Sequence, residues 1–181
     1  MSRSTIFSTP RLIARPWTLD DVDAAFTMYG DPDVQRYLGR DGAADVVANV
    51  DEMRDRLQKL IEKYEGPFAG YIAAAMARSD TGEVVGTGLL KPLELSTGER
   101  GEEIEIGWHL AKKNWGQGYG TEIGRGLVDH GFNQMRLPKL HAIAYPENTA
   151  SLRIMQKLGM EYQGRTDRYY GVTVDHYLLR A

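Results

Sequence analysis

The chain of 181 residues contains no cysteine, which excludes disulfides, a thiolate nucleophile and cysteine-ligated zinc. No apolar run is long enough to span a bilayer, and the opening MSRSTIFSTPR is too polar and short for a signal peptide. No membrane partner is therefore expected, and the location is expected to be cytoplasmic. Neither sign of charge dominates: 22 Lys and Arg against 25 Asp and Glu give a formal net charge of −3, which offers no general attraction to nucleic acid. The four histidines, His109, His130, His141 and His176, form no H-x-x-x-H or H-E-x-x-H pair, so no metal site is expected. No repeat, low-complexity tract or linker interrupts the chain, and 42% hydrophobic content suits one globular domain over residues 1–181.

What is present alternates between strand and helix signals. LIARPW (Leu12–Trp17) reads as a strand stopped at Pro16, after which Thr18 can cap a helix carrying Val22, Ala25, Phe26 and Tyr29 and closed by Gly30. Residues 43–65 repeat Val46, Val50, Met53, Leu57, Leu60 and Tyr64 at helical spacing up to Gly66-Pro67. YIAAAMA (Tyr71–Ala77) and EVVGTGLL (Glu83–Leu90) flank a Ser-Asp-Thr-Gly turn and form a hairpin, followed by a polar loop, STGERGE (Ser96–Glu102). EEIEIGWHL (Glu102–Leu110) alternates, with Ile104, Ile106, Trp108 and Leu110 on one face and Glu103, Glu105, Gly107 and His109 on the other. A helix to about Phe132, a strand KLHAIAY (Lys139–Tyr145), a helix from Asn148 to Gly159 and two strands around RYYG (Arg168–Gly171) complete the order. Hairpins and helical crossovers together predict an α/β chain with a mixed sheet.

The stretch NWGQGYGTE (Asn114–Glu122) joins the end of a strand to the start of a helix. It fails as a dinucleotide fingerprint, because G-x-G-x-x-G would need glycine at Thr121 or Ile123. It also fails as a Walker loop, because no Gly-Lys pair occurs. Free backbone N–H groups and the positive end of the helix dipole still favour an anion there. A tight turn with left-handed glycines explains the same residues, and the loop alone does not separate the two readings.

WHLAKKNWGQGYGTE followed about thirty residues later by PENTASLRIMQKLGM resembles the GNAT superfamily of N-acetyltransferases, and within it the branch of ribosomal-protein N-terminal-alanine acetyltransferases and their small-molecule relatives. The signature Q/R-x-x-G-x-G/A maps onto Trp115-x-x-Gly118-x-Gly120, with Trp115 departing from its first position. TPRLIARP, DPDVQRYL (Asp31–Leu38) and DHYLLR (Asp175–Arg180) also look like this branch. The resemblance implies the acyl-CoA N-acyltransferase fold: a mostly antiparallel central sheet with splayed parallel strands and flanking helices. The implied cosubstrate is acetyl-CoA. It would lie between strands Glu102–Leu110 and Lys139–Tyr145, with pantetheine on the backbone of His109 and Leu110. Its diphosphate would take N–H groups from Gly116, Gln117, Gly118, Tyr119, Gly120 and Thr121, while Trp115 and Tyr119 hold the loop. Lys112-Lys113 are either adenosine-phosphate contacts or exposed charge.

The implied reaction is direct attack of an amine on a thioester. A protonated amine cannot attack, and reference pKa values are roughly 10.4 for lysine and about 7.7–8.0 for an α-amino group. The enzyme must therefore remove a proton, stabilise an oxyanion and protonate a thiolate. Glu105 is the candidate base, directly or through water, with Glu103 in reserve on the same face. Many members of the superfamily use a tyrosine as the acid, and Met155 stands at its place. Asn148-Thr149-Ala150-Ser151 matches the Asn-x-x-Ser of this branch instead, so Ser151 is the candidate for the thiolate and Asn148 for pantetheine. Helix capping accounts for the same two residues. The acceptor is an amine, on a small molecule or a protein N-terminus, in a pocket expected from the Asp31–Gly42 connection and the Arg165–Gly171 turn, with Tyr169 and Tyr170 as lining. A non-catalytic acyl-CoA-binding sensor or interaction module is the alternative. Apolar residues at the sheet edge would serve a homodimer or the core equally.

Overall fold

The computed structural model describes residues 4–38 and 45–181. Eight strands form one sheet: β1 (Phe7–Ser8), β2 (Leu12–Pro16), β3 (Ile72–Arg78), β4 (Val84–Glu94), β5 (Arg100–Leu110), β6 (Lys139–Ala144), β7 (Glu161–Thr166) and β8 (Val174–Arg180). Their order is β1-β2-β3-β4-β5-β6-β8-β7. Every neighbouring pair is antiparallel except β5 and β6, which run parallel and meet at a single register pair, Glu105 with His141. This is the mixed, mostly antiparallel sheet with one splayed parallel pair expected from the sequence.

Period-two alternation divides the core into two layers. On β3, Ile72, Ala74 and Met76 face a cluster with Ile123, Leu127 and Met155, whereas Ala75 faces a second cluster with Val22, Met28, Met53 and Leu57. Helices α1 (Val22–Tyr29) and α3 (Val50–Glu65) therefore cover one face, and α4 (Tyr119–Asp129) and α5 (Thr149–Lys157) the other. A short α2 (Pro32–Gln35) follows α1, capped by the Asp31 carboxylate on the Asp33 N–H at 2.8 Å.

Several boundaries differ from the sequence reading. The 43–65 helix starts at Val50, because Asn49 accepts the Glu52 N–H at 2.9 Å and caps it there; residues 43–44 lie outside the described residues. Thr18 opens a short 3-10 turn before α1, its hydroxyl donating to the Asp21 carboxylate at 2.9 Å. β4 runs on to Glu94 and β5 begins at Arg100, since the ladder between them continues to the Glu94–Arg100 pair and shortens the expected loop. α4 gives way at Asp129 to a wider π turn over His130–Gln134. α5 ends as expected at Gly159, whose φ of +77° lets the Met160 N–H reach the Met155 carbonyl at 3.1 Å. β1 and α2 are too short to register in the sequence pattern.

Candidate active site

Beyond Glu105 the strands β5 and β6 no longer pair, and the gap opens into two adjoining cavities of about 280 and about 420 Å³. Trp108, His109, Asn148 and Ser151 line both, so these residues mark the junction. The larger cavity reaches the glycine loop, and the smaller one holds Lys91, Glu105, Met155 and Tyr170.

Gly116, Gly118, Gly120 and Thr121 line the larger cavity, but the glycines do different work. Gly118 has φ +82° as the residue before α4, a conformation that L side chains resist. Gly120 is small for packing instead: a Cβ there would lie 2.6 Å from Ile154 Cδ1 on α5. The first helical bond runs from the Glu122 N–H to the Gly118 carbonyl at 3.1 Å, which leaves the Tyr119, Gly120 and Thr121 N–H groups without a helical partner. Gln117 is not part of the cavity wall; its carbonyl accepts from Arg11 at 3.2 Å and its side chain donates to the Lys113 carbonyl at 2.9 Å. Trp115 lines the cavity and braces the loop, its indole N–H donating to the Leu110 carbonyl at 3.0 Å.

Arg11 is a residue that local sequence patterns did not single out. Its guanidinium lies 4.4 Å over the Tyr119 ring and pairs with Glu122 at 2.6 Å, while Thr9 donates to the same carboxylate at 2.7 Å. The N-terminal segment thus clamps the first turn of α4. Burial would raise the Glu122 carboxyl, but the Thr9 and Arg11 hydrogen bonds outweigh it and hold it below its ordinary value. The neighbouring lysines are taken: Lys112 pairs with Asp33 at 2.5 Å and Lys113 with Glu83 at 2.6 Å.

On β5, the Ala111 N–H bonds to the Val85 carbonyl of β4, and a Cβ at Gly86 would lie 2.2 Å from the His109 carbonyl. Odd-numbered residues therefore direct their main chain toward β4, and Trp108 and Leu110 direct theirs into the splay. The main chain that faces the splay is therefore that of Trp108 and Leu110, whereas that of His109 faces β4. The His109 side chain lines both cavities, with Nδ1 3.1 Å from the Tyr29 hydroxyl, which also meets Thr87 Oγ1 at 2.8 Å. Burial, with Lys91 adding to it, pushes the His109 imidazole down to about 4, so it is neutral near pH 7.

Glu105 projects into the smaller cavity. Its Oε2 accepts from Lys91 Nζ at 3.1 Å and from the Tyr170 hydroxyl at 2.6 Å. Glu103 is instead bound to Arg168 at 2.8 Å and lies outside both cavity walls. Tyr170 lines the cavity as expected, but Tyr169 is buried against His176. From the Asp31–Gly42 connection, Tyr37 and Leu38 reach the site, while residues 39–42 lie outside the described residues. Asn148 caps α5, accepting the Ser151 N–H at 3.2 Å; Ser151 lines the junction, and its hydroxyl makes no hydrogen bond among the described residues. The other histidines are structural: His141 stacks on His176 with ring centres 5.1 Å apart, and His130 packs on Phe7.

Comparison with known proteins agrees with this fold. The chain is 28% identical over 175 residues to the uncharacterized N-acetyltransferase p20 of Bacillus licheniformis, covering 94% of this chain and 92% of the relative. Its fold is similar to that of Mycobacterium smegmatis RimJ in complex with CoA-disulfide, with a TM-score of 0.77 at 18% identity over 99% of this chain and 88% of that one. It is also similar to RimL, a ribosomal L7/L12 alpha-N-protein acetyltransferase solved in complex with coenzyme A, with a TM-score of 0.74 at 18% identity and 98% of both chains covered. Residues 11–161 match the family described as the acetyltransferase (GNAT) domain, and the chain belongs to that family of acetyltransferases.

Proposed function

We propose that this protein is an acetyl-CoA-dependent N-acetyltransferase that modifies a primary amine. One observation carries the reading: a cavity built on helix-terminal N–H groups meets, at Trp108, His109, Asn148 and Ser151, a second cavity that holds a carboxylate. Acetyl-CoA supplies the reactive thioester. The free N–H groups at Tyr119–Thr121 suit its diphosphate, and the inward main chain of Trp108 and Leu110 suits an extended amide chain such as pantetheine.

Glu105 is the proposed base. It takes the proton that the amine must lose before nitrogen bonds to the acyl carbon, through a water where the gap requires one. Ser151 is the proposed partner of the leaving sulfur. As the carbon–sulfur bond breaks, its hydroxyl donates a hydrogen bond to the departing thiolate, which then takes its proton from solvent. Met155 is buried at 2% exposure and has no proton to give. Ser151→Ala is expected to lower kcat by about tenfold, the weight of one hydrogen bond to a charged group, with the affinity for coenzyme A unchanged. Steady-state kinetics beside coenzyme A titration measures both, and an unchanged kcat removes Ser151 from the chemistry.

The acceptor is a small-molecule amine or a protein N-terminus, bound in the cavity walled by Tyr37, Leu38, Lys91 and Tyr170. We place the reaction in the cytoplasm, within one domain. The test is thiol release from acetyl-CoA with a panel of amines: peptides with N-terminal Ala or Ser, single amino acids, a polyamine and an aminoglycoside. Amine-dependent release is expected. Coenzyme A binding without release on any amine overturns the enzyme reading in favour of an acyl-CoA sensor.

A further inference from the structure

The Glu105 carboxylate is held unevenly. Lys91, its cross-strand register partner on β4, and Tyr170, from the connection between β7 and β8, both bond to Oε2 and also contact each other. Oε1 has no hydrogen bond among the described residues and turns toward Gly107, which lines the same cavity; a Cβ there would lie 3.6 Å from Oε1. The carboxylate is nearly enclosed, at 12% exposure, so these two donors decide its plane.

Tyr170 reaches this place at a conformational cost. Its φ is +56°, a region that bulky side chains rarely adopt. The surrounding structure imposes it. The Tyr170 N–H donates to the Glu94 carbonyl at 3.1 Å, and Leu95 bridges Tyr169. Ser96 clips the rest of the loop: its N–H donates to the Arg168 carbonyl at 2.9 Å, its hydroxyl donates to the Asp167 carbonyl, and the Gly171 N–H donates to its Oγ at 3.1 Å. The turn between β4 and β5 thus presses a tyrosine from the far end of the sheet onto a carboxylate of β5. Nothing in the packing of the loop itself needs the phenol hydroxyl.

We infer that Tyr170 and Lys91 are positioning residues for Glu105: they fix Oε2 so that Oε1 is presented to the incoming amine. The inference rests on the proposed role of Glu105 as base. Lys91 adds a second effect. An unbalanced carboxylate would hold the acceptor as an ammonium ion and stabilise the form that cannot react. With its charge matched by Lys91, Glu105 attracts the ammonium less. The titratable groups around Glu105 are Lys91 from β4, Tyr170 from the loop, Tyr64 from α3, His109 in the same cavity wall and His141 from β6, the register partner of Glu105, with Glu94 beside Tyr170. Burial, then the Glu105 charge, raises the Tyr170 phenol far above its ordinary value, so it stays a donor throughout the working range.

The experiment is a cycle of Tyr170→Phe, Glu105→Gln and the double variant, read with acetyl-CoA and the panel amine giving the fastest thiol release. Tyr170→Phe is expected to lower kcat about tenfold, the loss of one hydrogen bond to a charged group, leaving the KM for acetyl-CoA unchanged. In the Glu105→Gln background the same change costs nothing further. Lys91→Arg keeps most of the rate that Lys91→Met loses. Equal losses from Tyr170→Phe in both backgrounds assign the tyrosine to structure alone and overturn the inference. So does an unchanged kcat in Tyr170→Phe while Glu105→Gln is impaired. Full activity of Glu105→Gln overturns the base assignment itself and the positioning role with it.

Discussion

Replacing Glu105 with Gln is expected to lower kcat by about 10²- to 10⁴-fold, the usual contribution of a positioned general base, with little change in the KM for acetyl-CoA. The substitution keeps the length and shape of the side chain. Its amide oxygen still accepts from Tyr170, whose hydroxyl lies 2.6 Å from the carboxylate, so the cavity wall is preserved. What disappears is the capacity to take a proton. The deficit should narrow as pH rises through the acceptor's own pKa, since an amine already neutral in solution needs no base. That narrowing would centre near about 8 for an α-amino group and above about 10 for a lysine side chain, so the same profile reports which kind of amine is bound. Steady-state rates across the pH range, with the panel amine that reacts fastest, provide the check. Full kcat at every pH would remove Glu105 from the chemistry.

The parts of this site that were legible in the sequence are local ones. Asn148 and Ser151 lie three residues apart, and the cap that joins them follows from spacing alone. The glycine loop and the alternation of β5 are likewise readable within one segment. The residues that completed the site come from long range. Lys91 meets Glu105 because of the β4–β5 register, and Tyr170 meets it because a second loop is clipped by Ser96. Arg11 reaches the glycine loop from the residue before β2, 106 residues away in sequence. No local periodicity encodes such pairings. The main-chain direction at His109 was missed for a related reason. Side-chain alternation tells which face a residue presents, but which edge its N–H and C=O address depends on where the neighbouring strand begins. Gly120 shows the reverse limit: its place in a glycine motif points to a ligand, whereas its missing Cβ makes room for Ile154.

The second large effect concerns stability. Arg15→Met is expected to destabilise the fold by about 3–5 kcal/mol, because it takes the matching charge and two hydrogen bonds from a buried carboxylate. Arg15, on β2, makes two bonds of 2.8 Å to Asp21, with both side chains at 7% exposure or less. Asp21 also accepts the Thr18 N–H at 3.0 Å and the Thr18 hydroxyl at 2.9 Å. The pair fastens the end of β2 to the start of α1, the helix that ends with Tyr29 against Thr87 and His109. Burial would raise the Asp21 carboxyl, but the bonds from Arg15 and Thr18 and the Arg15 charge together lower it below its ordinary 3.8. A depressed carboxyl contributes its full stability above the unfolded value and loses it as pH falls through the folded one. The gap between the parent and Asp21→Asn should therefore be constant near neutrality and shrink below about pH 4, where the parent carboxyl takes up its proton. Denaturant melts at pH 7 and at pH 3 measure this. Replacing both partners with apolar residues, as in Arg15→Met with Asp21→Leu, should cost less than Arg15→Met alone, because no unpaired charge remains. If the double variant is the less stable, the pair contributes through packing and bond geometry, and the stranded charge is not the cause of the loss.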